Sequence, residues 1–133
     1  MPWTQRNHNP SPSLGGLPCG YTTKANPDAY FLEYQTLEMT KQDDRTAEQL
    51  KTHIWGVVAK DKFMSGWGGA SGGASRCAWA CEDYDKAERA YRWVSNRSEM
   101  RYVNIVDLRT YRAPRGTAHF HIYVATEGHP SLR

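Results

Sequence analysis

The chain has no uninterrupted apolar run near the 20 or so residues that a bilayer-spanning helix needs. Its first residues, with Pro2, Pro10 and Pro12 set among polar side chains, lack the apolar stretch of an export signal. Cysteine is scarce: Cys19, Cys77 and Cys81 are the only three in 133 residues, an odd number that makes no disulfide framework and suits a reducing compartment. The expectation is therefore a soluble, cytoplasmic protein with no membrane partner. Neither sign of charge dominates: 17 Lys and Arg stand against 14 Asp and Glu, a net of +3, which by itself selects no partner class.

The signatures of several chemistries are missing as well. The phosphate-loop pattern G-x-x-x-x-G-K-[ST] does not occur, and the Gly-rich stretch Asp61–Ser75 runs into a strand pattern where a helix N-terminus is needed to hold phosphate. The dinucleotide-binding fingerprint fails for the same reason, so no cofactor is expected. No nucleophile elbow G-x-S-x-G is present; Met64–Ser65–Gly66 comes nearest. Asp43–Asp44 belongs to a charged linker and Glu82–Asp83 to a helix cap, so neither reads as a catalytic carboxylate pair. Helix-turn-helix, zinc-finger and ribonucleoprotein motifs are absent too. The residues give no ground for calling the chain an enzyme.

What is present is a single-domain length and an aromatic-rich composition. Apolar residues make up 39%, yet five Trp and eight Tyr can each bury a large area. Residues 1–26 read as a loop or tail, and 27–133 as one α+β domain. Asn26–Pro27–Asp28 has the form of a helix start, and Tyr30, Tyr34 and Leu37 follow at helical spacing, which predicts a helix over 27–39 with a strand as the alternative. A helical turn is expected over 46–52. Strands are expected over 54–60 and 76–81, joined as a long hairpin through the Gly-rich stretch, with Gly56 where something approaches closely. The stripe Ala87, Ala90, Tyr91 and Val94 predicts a helix over 82–96 capped by Glu82 or Asp83. Strands over 102–108 and 118–124 complete a ββαββ order: an antiparallel or mixed sheet of about four strands with one or two helices on one face.

Three features bear on function. The Gly-rich loop carries Phe63, Met64 and Trp67, residue types that serve as binding anchors when held outward. The segment from Lys86 to Arg115 holds eight basic residues against Glu88, Glu99 and Asp107, whereas residues 1–85 hold eight basic and ten acidic ones. Arg89, Arg92, Arg97, Arg101 and Arg112 are interleaved there with Trp93, Tyr102 and Tyr111. Arginine beside aromatic faces suits an anionic partner, either an acidic protein or nucleic acid. Finally, His119 and His121 share one face of a strand and are the weak candidates for a metal pair. Cys77 and Cys81 stand too far apart along theirs to bind one ion together.

The segments Asp61–Gly68 (D-K-F-M-S-G-W-G), Cys81–Asp83 and Arg97–Asn104 (R-S-E-M-R-Y-V-N) resemble, in that order, a pattern in small proteins of bacteriophages and related mobile elements. The resemblance spans roughly residues 54–107 and brings no catalytic residue with it. It implies a phage-type protein in a bacterial host cytoplasm, where such accessory proteins often bind host protein or nucleoprotein complexes, defence systems included. The leading expectation is a non-enzymatic binding protein using the Phe63–Trp67 loop and the 86–115 surface. Direct nucleic-acid binding by that surface and a small metal-dependent enzyme are the alternatives.

Overall fold

A computed structural model describes residues 20–40, 44–61, 74–97, 100–125 and 132. Along the chain the elements are β1 (Gly20–Lys24), α1 (Phe31–Thr40), α2 (Asp44–Leu50), β2 (Trp55–Asp61), β3 (Ala74–Cys81), α3 (Tyr84–Ser95), β4 (Met100–Asp107) and β5 (Thr117–Val124). The strands form one mixed five-stranded sheet in the order β1-β5-β3-β2-β4, an α+β fold. Only β3 and β5 run parallel; β1–β5, β2–β3 and β2–β4 are antiparallel.

Strand alternation sorts the core into two layers. Val57, Ala59, Cys77, Trp79, Cys81 and Tyr123 point to one face, where Ala87, Ala90 and Val94 of α3 cover them. Val58, Ala78, Ala80, Phe120, Ile122 and Val124 point to the other, against Phe31 and Leu32 of α1 and Ala47 and Leu50 of α2. The helices thus cover both faces, where sequence reading placed them on one. The cause is visible in β3: C-A-W-A-C is apolar at odd and even positions alike, as a strand buried on both sides must be.

Two further expectations are corrected. Residues 20–24 lie in the stretch read as a tail but form β1, an edge strand paired with β5. Gly-Tyr-Thr-Thr-Lys is short and polar, so it offers no apolar alternation, although Tyr and Thr favour extended backbone. α1 begins at Phe31 and not at Pro27. The Asn26 Oδ1 accepts from the Asp28 amide at 3.0 Å, and the Ala29 amide donates to the Asn26 carbonyl. That Asn–Pro–Asp stretch builds a turn ahead of the helix.

The helix expected over 82–96 forms, capped by Asp83, whose carboxylate accepts from the Lys86 amide at 2.8 Å. Its small buried alanines let it lie close to the sheet. Tyr91, expected in the buried stripe, is 37% exposed; Trp93 packs on the core, tilted against Trp79 with ring centroids 5.4 Å apart. On the opposite face, Gln35 of α1 is fully enclosed, and neither polar atom of its amide has a hydrogen-bond partner among the described residues.

Candidate functional site

The basic segment does not gather on one surface. The chain passes through β4 between the α3 face and the α1 face, and its arginines divide accordingly. On the α3 side, Arg89 Nη1 donates to the Leu132 carbonyl at 3.1 Å, and the Arg97 guanidinium lies 4.6 Å from the centre of the Trp93 ring. Arg92 is exposed on the outer side of α3, and Arg101 is exposed on β4. Arg112 stacks 4.6 Å from the Tyr30 ring just ahead of α1, and Arg115 reaches Asp28 at 3.6 Å. Arg109 grips Asp107 through two side-chain hydrogen bonds of 2.9 and 2.7 Å, which hold that carboxyl below its usual range. Phe63, Met64 and Trp67 lie outside the described residues.

Like Arg112, Arg92 is a predicted residue that meets other binding-type side chains. With Tyr84, Glu88 and Tyr91 of α3 and Asn104 and Ile105 of β4 it lines an open depression of about 320 Å³. Tyr84 is 48% exposed, and its ring stands edge-on to Trp55 of β2 at 5.1 Å, so the helix side of the depression rests on the core layer. β4 ends the sheet, and among the described residues no strand lies along its outer edge. Its pairing with β2 is irregular between Val58 and Lys60, where Tyr102 takes a left-handed backbone with φ of 56° and stands 74% exposed. A non-glycine residue in that conformation at a bulge re-aims the strand and is uncommon away from functional sites. A second depression, of about 300 Å³, lies beside Tyr30, Tyr34, Leu37 and Arg112 at the other face.

The histidine pair separates into two environments. His119 is exposed, whereas His121 is buried and in register with Cys77 on the neighbouring parallel strand. Burial, with a smaller contribution from His119, depresses the His121 pKa to about 4. The Cys77 thiol donates to the Ala59 carbonyl and the Cys81 thiol to the Trp79 carbonyl, each at 3.7 Å. Burial first, then the charge of Asp83, pushes the Cys81 thiol up to about 12. Both thiols are packed and buried, and Cys81 is held protonated, the opposite of an activated nucleophile or ligand. Among the described residues no group of three His, Cys, Asp or Glu side chains is placed to hold a metal ion.

Sequence reasoning missed Tyr84, Glu88, Asn104 and Ile105 and assigned Tyr91 to the buried stripe. Tyr84 and Tyr91 are seven residues apart, two helical turns, and that spacing was the available signal once Ala87, Ala90 and Val94 had been assigned to the core. Nothing local marks Asn104 and Ile105, because their place depends on which strand forms the sheet edge. Comparison of the chain with family models, curated proteins and solved structures gives no match.

Proposed function

We propose that this is a non-enzymatic binding protein of phage type that engages a host protein or nucleoprotein complex in the bacterial cytoplasm, a component of a defence system among the candidates. The observation that carries the reading is the cluster of Tyr84, Tyr91 and Arg92 around one open depression beside the free edge of β4. Tyrosine and arginine are the side chains most enriched at binding hot spots, since each offers a broad contact area with a polar tip. Tyr91 and much of Tyr84 face solvent, although the Tyr84 ring also packs edge-on against Trp55. The buried thiols and histidine, by contrast, lack the accessible nucleophile–base geometry that catalysis needs.

A nuclease-treated pull-down from bacterial lysate tests the proposal, with wild type beside Tyr91→Ala/Arg92→Glu. Support is one host complex retained by wild type and lost with the variant at unchanged thermal stability. Retention of the same complex by both proteins counts against it. Direct nucleic-acid binding by residues 86–115 acting as one surface has less support, because Arg89, Arg97, Arg109 and Arg112 are each engaged within the protein and lie on different sides of the sheet.

A further inference from the structure

Three cations stand side by side across three strands. In the β2–β3 hairpin Lys60 is the register partner of Arg76, and in the β2–β4 ladder the same Lys60 is the partner of Arg101. Residues directly opposite in a ladder project to the same face, here that of Val58 and Ala78. Neighbouring strands are about 4.8 Å apart, so the three Cα positions span about 10 Å. Like charges placed directly opposite one another destabilise a sheet unless something neutralises them. Among the described residues no carboxylate forms an ion pair with Lys60, Arg76 or Arg101.

The row continues on β5 with Phe120, the register partner of Arg76, over which the Tyr111 ring packs at 6.1 Å. The Arg76 Nε is shielded from solvent and makes no hydrogen bond among the described residues. Arg76 also acts on Tyr111, drawing its pKa down against the larger upward effect of burial. Arg76, half-buried and with an orphaned N–H, thus stands in a row with two more cations for which no counter-charge is present among the described residues. At the other end of the row Arg101 is followed by the outstanding Tyr102. Arginine forks suit phosphate oxygens, and an exposed aromatic beside them suits a base.

We propose that Arg76, Lys60 and Arg101 form a row that binds phosphate groups of a single-stranded nucleic acid, with Tyr102 as the stacking platform at its open end. This site lies apart from the Tyr84–Tyr91–Arg92 cluster and does not rest on it. Lys60 and Arg76 fall outside the basic segment seen in the sequence, and only the hairpin register brings them to Arg101.

Binding of a fluorescein-labelled oligothymidylate, followed by anisotropy over a salt series, tests the proposal. The full-length protein is compared with Arg101→Gln, Lys60→Gln, Tyr102→Ala and, as a control beyond the other end of β2, the exposed Lys51→Gln. Each of the two charge variants is expected to weaken binding and to reduce the magnitude of the log–log salt slope by about 0.7. Tyr102→Ala is expected to weaken it about tenfold at an unaltered slope, and Lys51→Gln to leave it unchanged. Tripolyphosphate and polyglutamate serve as competitors. Each is expected to displace the oligonucleotide poorly. Tripolyphosphate binding as tightly as the oligonucleotide, with Tyr102→Ala neutral, overturns the assignment in favour of a free oligophosphate. Equal binding of polyglutamate overturns it in favour of an acidic protein. No binding at low salt, or Arg101→Gln and Lys60→Gln both indistinguishable from wild type, overturns it outright.

Discussion

Gly56 and Leu108 are in close contact where β2 meets the end of β4: a methyl group built on Gly56 would stand 2.6 Å from Leu108 Cδ2 and 2.7 Å from Cγ. Leu108 cannot easily withdraw. Its amide donates to the Ile54 carbonyl at 2.8 Å, its carbonyl accepts from the Leu32 amide at 2.9 Å, and its side chain is fully buried. Gly56→Ala is therefore expected to cost about 1–3 kcal/mol through overpacking. Urea denaturation checks this, and a double-mutant cycle with Leu108→Ala should give a combined loss smaller than the two separate losses. Strict additivity would mean that the two residues do not meet.

His121 gives the fold an acid limit. Its folded pKa of about 4 lies below the 6.5 of an unperturbed histidine, so below pH 6.5 the unfolded chain takes up the proton more readily. The stability this provides is complete above pH 6.5 and is lost as pH falls through the window down to about 4, about 3 kcal/mol in all. His121→Asn, titrated by urea midpoint beside wild type, is expected to show a flatter profile over that window. Exposed carboxylates such as Glu82 titrate in both proteins, so the difference between the curves isolates His121. Parallel curves would place the imidazole in water.

Cys77 and Cys81 are buried, hydrogen-bonded to main-chain carbonyls and, for Cys81, held protonated far above neutral pH. Native protein treated with iodoacetamide is expected to leave both unmodified, with labelling of each appearing only in denaturant. Peptide mass mapping reads the outcome. Rapid native alkylation of either one would contradict the packing of the α3 layer.

Gln35 is the least comfortable residue of the other layer, with a fully buried amide and, among the described residues, no hydrogen-bond partner for either polar atom. Gln35→Met removes that amide while keeping the length and flexibility of the side chain. It is expected to raise stability by about 1–2 kcal/mol, read as a higher urea midpoint at unchanged slope. A loss of stability would show that the amide has a partner on which the fold depends.

The sequence made the hairpin of β2 and β3 legible because strand formers flank a stretch too rich in glycine for regular structure. It made α3 legible because Asp83 and the Ala87–Ala90–Val94 spacing agree on its start and its face. β1 was hidden, since five polar residues at a sheet edge carry no alternation and are specified by pairing with β5. The division of the helices between two faces depended on reading C-A-W-A-C as apolar on both sides. The basic segment was visible as composition, but one-dimensional clustering says nothing about which side of a sheet each arginine reaches. Arg92 and Arg112 end on opposite sides because β4 lies between them. Register, which no local pattern records, placed Lys60 beside Arg76.

The exposed surface of α3 and β4 is the proposed binding surface for a host complex. Its most direct test is a titration of the captured, nuclease-treated complex with wild type and with Tyr91→Ala/Arg92→Glu, whose replaced side chains are solvent-exposed and leave the core intact. The variant, folded with wild-type stability, is expected to bind about thirtyfold more weakly or worse. Equal affinity for the two proteins would contradict it and move the binding surface elsewhere on the molecule.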